Sequence, residues 1–268
     1  PTGQQRRIPF WLRVVRPRLA AAQRTPLPRP GTYSGTTAGK ASLVSTYRYP
    51  DAGPALGIPT KLSGPEQVFR VRIAGSPANF GVVVTGHDKG VEVQPRVVAA
   101  GDENRLTGMA GLPVDLNPYR NAFGAPTPAA GAVRPLPGDY NIVFDTTSRA
   151  KAGAFTFRYW VDDVTPPLVR LLTPSPTAGS EITLRLSITD AGSGVDPSAL
   201  EVTVDGLTMD TSYDAGSGIA VVAAGSLAAG PHVLMVTVAD YQESRNNENV
   251  PGVLPNTRTL QTAFTVSG

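Results

Sequence analysis

The sequence predicts an all-β chain folded as two β-sandwich domains in tandem, residues 1–162 and 163–268. Three observations predict it. Gly 28 and Pro 26 make up about 20% of the 268 residues, against about 12% in average usage, and neither is tolerated well inside a helix. Apolar residues form 41% of the chain, enough for packed cores, and they fall in short runs of period 2. The charge is split: residues 1–160 carry 20 Lys and Arg against 9 Asp and Glu, net +11, and residues 161–268 carry 4 against 12, net −8. Such asymmetry points to two units with different surfaces, and the length suits one large or two ordinary domains.

In the first unit, residues 8–16 are bulky, aromatic and β-branched and read as a strand. A turn-rich stretch follows, with Pro17, Pro26, Pro28, Pro30 and Gly31. Strands are predicted at 43–49 and 67–74. In the latter, Phe69, Val71 and Ile73 share one face by parity, and Val68, Arg70 and Arg72 the other. Residues 80–85 and 91–98 are strands on either side of a Gly86–Gly90 turn. Residues 101–138, rich in Gly and Pro, read as a long loop. Strands resume at 139–145 and 153–161, giving the strand count of a sandwich.

Asp162-Asp163-Val164-Thr165-Pro166-Pro167 marks the boundary. Pro-Pro stiffens the chain and cannot sit inside a sheet, and the charge changes sign here. In the second unit strands are predicted at 168–172, 181–188, 199–204, 218–223, 231–238 and 259–266. Ile182, Leu184, Leu186 and Ile188 fall on one face, and Leu234, Val236 and Val238 oppose Val233, Met235 and Thr237. Six short strands in about 100 residues fit an immunoglobulin-like, fibronectin type III-like sandwich. Asp190–Gly194 and Asp214–Gly218 share the phrase Asp-Ala-Gly-Ser-Gly and read as tight turns.

Several chemistries are excluded. The chain has no Cys, which removes disulfides, thiolate metal sites and cysteine nucleophiles. His87 and His232 are the only histidines and cannot build a histidine-rich zinc site. His87 reads as an exposed turn residue and His232 as a surface or edge residue. No apolar run reaches the length of a membrane span. The arginines of the basic half are scattered, without the aromatic-and-basic pattern of nucleic-acid binders. No serine has Gly at both −2 and +2, and Gly35–Ala41 has the wrong spacing for a phosphate-binding loop. Trp11 and Trp160 lie in strand patterns and read as core. The start at Pro1, without Met or a leader, reads as a piece of a longer protein.

Ile8-Pro9-Phe10-Trp11-Leu12-Arg13-Val14 resembles the strand that follows the catalytic domain in large secreted subtilisin-like serine peptidases. The second unit resembles the bacterial immunoglobulin-like modules appended to them. It does so through Asp163–Pro167, Asp190–Asp196, Val204-Asp205-Gly206, Leu227–His232 and Asp240–Asn249. The resemblance covers 160–268 well and 8–160 loosely. The family's catalytic Asp, His and Gly-Thr-Ser motifs are not in this chain, so no catalytic residue carries over. The resemblance implies a non-catalytic C-terminal accessory region of an exported, bacterial, secreted or cell-surface peptidase. Its partner would be the upstream catalytic domain, with a protein substrate or a cell-wall component as a further contact. The competing expectation is a cell-surface adhesion or carbohydrate-binding module of another exported protein. A self-contained enzyme is the weakest reading.

One metal site is expected. In an immunoglobulin-like strand order, the ends of the strands at 181–188 and 231–238 and the start of the first strand share one pole, facing the first unit. Asp162, Asp163, Asp190 and Asp240 would gather there, with Asp196, Glu243 or Glu248 near. Crowded carboxylates need a counter-ion, and hard oxygen ligands suit Ca²⁺. Backbone carbonyls and Asn246 or Asn247 would complete the shell. The competing reading has each Asp capping its own turn, with Arg245 or a basic residue of the first unit neutralising the cluster.

Overall fold

The computed structural model describes residues 24–42, 64–100, 129–146, 148–242 and 256–268. The fold is all-β. Strands expected at 8–16 and 43–49, and Trp11, lie outside the described residues.

The N-terminal part contains β1 (Arg24–Pro26), β2 (Gly31–Thr36), β3 (Gln67–Ile73), β4 (Asn79–His87), β5 (Val93–Ala99), β6 (Ala129–Val133), β7 (Gly138–Thr146) and β8 (Ala154–Val161). They form two four-stranded sheets, β1-β3-β7-β5 and β2-β8-β4-β6. All pairings are antiparallel except β1 with β3. The period-2 pattern is what joins the sheets. Phe69, Val71 and Ile73 from β3 share one buried cluster with Phe80, Val82 and Phe157 from the other sheet. Phe144 sits at its centre, its ring centroid 4.6 Å from both Phe155 and Phe157. Pro95 lies within β5, an edge strand, where its missing N–H costs no ladder bond.

Three strands escape the sequence reading. β1 and β2 lie in the Pro- and Gly-rich stretch, and β6 lies inside the predicted loop 101–138. Their residues are small or polar, Gly-Thr-Tyr-Ser-Gly-Thr in β2 and Ala-Ala-Gly-Ala-Val in β6, so no apolar alternation announces them. They are held by partners: β2 pairs with β8 and β6 with β4.

The C-terminal part contains β9 (Leu168–Leu171), β10 (Ile182–Thr189), β11 (Glu201–Val204), β12 (Leu207–Thr208), β13 (Asp210–Asp214), β14 (Ile219–Gly225), β15 (Gly230–Ala239) and β16 (Thr257–Val266). Two more four-stranded sheets result, β13-β14-β10-β9 and β12-β11-β15-β16. Ile182, Leu184, Leu186 and Ile188 point inward with Leu234, Val236 and Val238 as their parity predicts, and all are buried in a second cluster. Asp205 and Gly206, both at positive φ, link β11 to β12. This is the Asp-Gly hairpin signature. The short β12 and β13 lie between the strands expected at 199–204 and 218–223. After β9, Thr177 bridges Val266 in parallel, anchoring the start of the C-terminal part to its last strand.

The expected turns form. Gly194 and Gly218 take positive φ. The Asp214 carboxylate accepts from the Gly216 N–H at 2.9 Å and the Ser217 hydroxyl at 2.7 Å, and the Asp190 carboxylate accepts from the Gly194 N–H at 2.6 Å.

Candidate functional site

β8 leads straight into the junction between the two parts. Arg158 on β8 donates from Nε to the Gly192 carbonyl at 2.7 Å and from Nη2 to the Ala191 carbonyl at 2.8 Å. Trp160, two residues on, packs with Val83, Ala129 and Tyr241 in a small buried cluster of its own. Its indole N–H donates to Gln242 Oε1 at 2.7 Å. Trp160 is therefore buried as its strand pattern predicts, yet it serves the junction rather than the main core. Opposite it in the ladder stands Gly81, whose missing side chain makes room for the ring.

Asp163 is the hub. It is 4% exposed, and every polar group of it is engaged. Asn79 clasps its backbone, accepting from the Asp163 N–H at 2.9 Å and donating to its carbonyl at 2.6 Å. Asn256 Nδ2 donates to the same carbonyl at 3.0 Å. The Asp163 side chain accepts the Ser193 N–H at 2.5 Å. Gly192 lies so close that a Cβ there would collide with the Asp163 carboxylate. Ser193 in turn accepts the Gln242 N–H on its Oγ at 3.0 Å.

Asp190, at the end of β10, and Asp240, just after β15, meet Asp163 at this point. One carboxylate oxygen from each of the three lies within 4.8 Å of the others. Asp240 is fully buried and Asp190 half-buried. The Asp190 carboxyl is pushed up from the usual carboxylate range, first by burial and then by the charge of Asp163, against the Gly194 N–H and Arg158. Three of the four acids expected at this pole, Asp163, Asp190 and Asp240, thus meet.

Asp162 does not join them. It is exposed, sits at φ +59°, and turns its carboxylate to the Ala78 N–H at 2.7 Å. Neighbouring side chains in a strand exit point to opposite sides, so only one of the Asp162–Asp163 pair faces the second part. Asp196 is also spent elsewhere: it caps the turn at Pro197–Ala199, accepting from the Ser198 N–H at 2.9 Å and its hydroxyl at 2.6 Å. Glu243, Arg245, Asn246, Asn247 and Glu248 lie outside the described residues.

The sequence reading missed Asn79, Arg158, Ser193, Gln242 and Asn256. Asn79 opens β4 directly beneath Asp162, whose N–H it binds through its carbonyl. A short amide at a strand start beside a boundary was its only signal.

His87 is exposed and its Nδ1 lies 3.0 Å from the Asp88 carbonyl. His232 corrects the expectation of a surface residue. It is 8% exposed, with Nδ1 2.7 Å from Asp205 Oδ2 and Nε2 2.8 Å from the Ala228 carbonyl. The Asp205 carboxylate, then the Ala228 carbonyl, raise its pKa above 6.5.

Beside Asp190 runs an open groove of about 520 Å³, bordered also by Thr32, Arg158, Tyr213, Ser217 and Tyr241. No helix among the described residues is long and apolar enough to cross a membrane. No protein-family model and no curated protein matches this chain.

Proposed function

We propose that the chain is a non-catalytic accessory region of an exported protein, a tandem of β-sandwiches whose second member is immunoglobulin-like. Following the resemblance, the domain it serves is a subtilisin-like serine peptidase, which it holds in place, anchors, or supplies with substrate. The observation that carries this reading is the junction. Arg158 and Trp160 on β8, and Asp163 two residues past its end, are each hydrogen-bonded into the second part. A linker meant for free motion would be exposed and sparsely bonded; this one fixes the angle between its neighbours. Fixed spacing is what an accessory region contributes to an attached domain.

Two experiments test it. Incubation of the purified chain with casein and with an activated ester is expected to give no turnover. Activity that survives repurification and disappears in His87→Ala overturns the non-catalytic reading. Reading the parent gene upstream of Pro1 tests the family: an Asp, His and Gly-Thr-Ser series supports it.

The groove favours the second reading, an adhesion or carbohydrate-binding module, because Tyr213 and Tyr241 border it beside Arg158 and Asp190. Glycan-array binding that is lost in Tyr213→Ala would select that reading over the first.

A further inference from the structure

We propose that Asp163, Asp190 and Asp240, with the side-chain oxygen of Asn256, hold one Ca²⁺ ion at the junction. The inference stands on this geometry alone and does not depend on the accessory-region reading.

Two independent observations point to a cation. The first is the meeting of three carboxylate oxygens within 4.8 Å, two of them from the buried Asp163 and Asp240. Oxygens bound to one Ca²⁺ at about 2.3–2.6 Å lie up to about 5 Å apart across the ion. Mg²⁺, with shorter bonds of about 2.0–2.1 Å, would draw them closer. The second is Asn256. It is 1% exposed, its Nδ2 is spent on the Asp163 carbonyl, and its own carbonyl accepts the Asp240 N–H at 3.3 Å. The residue is thus pinned between two of the three acids, while its Oδ1 accepts no hydrogen bond among the described residues. A buried amide oxygen without a donor is rare, and an amide oxygen is a normal Ca²⁺ ligand.

The ligand chemistry selects the ion further. All four donors are oxygen, with no His or Cys among them, which disfavours zinc and copper. Arg158, the basic side chain acting on Asp190, aims its guanidinium at the Ala191 and Gly192 carbonyls. Bidentate carboxylates or waters bring the four donors to the six to eight that Ca²⁺ takes. Asp163 comes from the linker, Asp190 and Asp240 from two strand ends of opposite sheets, so the ion would bind only when linker and second part are docked.

The test is calorimetric titration of the EDTA-treated full chain with CaCl₂, alongside thermal unfolding. One ion per chain and a raised Tm are expected, with a smaller rise in equimolar Mg²⁺. D190N and D240N should each lose binding at least tenfold, and D162N should bind as wild type does, because its carboxylate faces Ala78. No heat and no Tm change at millimolar Ca²⁺ overturns the site, as does a loss in D162N equal to that in D190N. Should the buried variants misfold by near-UV circular dichroism, Tb³⁺ luminescence of the wild type decides. Emission sensitised through Trp160 and Tyr241 and displaced by Ca²⁺ supports the site; no sensitised emission sinks it.

Discussion

Trp160 and Gln242 are joined by a 2.7 Å hydrogen bond that crosses from the first pair of sheets to the second, with both side chains buried. An indole N–H in such a place has no water to turn to. Gln242→Ala should therefore cost about 1–3 kcal/mol, the usual penalty for a stranded buried donor. It should also loosen the junction, so that trypsin or thermolysin cuts near 162–167 faster than in wild type. Equal cleavage rates in urea-free buffer would mean that the bond does not hold the parts together.

Gly81→Ala is expected to act on the same contact from the other side. The added Cβ would strike the Trp160 ring, which cannot slide away while its N–H is bound. Overpacking of this kind costs about 1–3 kcal/mol, read as a lower urea midpoint. The loss should shrink in Trp160→Phe, where the ring is smaller and untethered.

Arg96 and Asp145 form a buried ion pair on the outer side of the first sheet, Nε to Oδ2 at 2.5 Å. Arg96→Leu or Asp145→Leu alone removes one partner of this buried pair and should cost about 3–5 kcal/mol. The double substitution should cost clearly less than the sum. An additive double-mutant cycle from chemical denaturation would contradict the pairing.

His232 supplies a pH dependence. Its folded pKa lies above 6.5 because Asp205 and the Ala228 carbonyl favour the protonated ring. The contribution to stability is full below pH 6.5 and lost as pH rises through the folded value. Asp205 behaves oppositely at acid pH. The Val233 N–H and then His232 lower its pKa from 3.8, so its contribution is present above 3.8 and lost as pH falls through the folded value. Urea midpoints measured between about pH 5 and pH 8 should fall with rising pH. His232→Gln should flatten that slope, and an unchanged slope refutes the assignment.

The two large apolar clusters share no residue. Leu186→Ala, at the centre of the second, should cost about 2–5 kcal/mol there and leave the first transition in place. A calorimetric trace in which both transitions drop together would show one cooperative unit instead.

Wherever the side chains carry the fold by alternation, the sequence was enough. Ile182 to Ile188 and Phe69 to Ile73 declare their strands and their buried faces. β2 and β6 stayed hidden because Gly, Thr and Ala leave no period to read, and only the neighbours β8 and β4 define them. The meeting of Asp163, Asp190 and Asp240 was legible from strand order, since strand ends at one pole follow from antiparallel pairing. Asp162 was wrongly included because sequence adjacency says nothing about which of two neighbours turns inward. Asn256 was beyond reach: it enters the site through hydrogen bonds to Asp163 and Asp240, which no local pattern encodes.

The parallel bridge between Thr177 and Val266 has a mechanical meaning. The Thr177 N–H donates to the Thr265 carbonyl and the Ser267 N–H to the Thr177 carbonyl, each at 2.8 Å. β16 pairs with β15 along its whole length, from Thr257 beside Ala239 to Val266 beside Gly230. The chain enters the second pair of sheets near Asp163 and leaves it beyond Val266, at the opposite pole. Tension between these ends runs along the strands, so the β15–β16 ladder and the Thr177 clasp must slide and break together instead of unzipping one bond at a time. Force applied between the two poles would therefore meet this strand before the core is exposed.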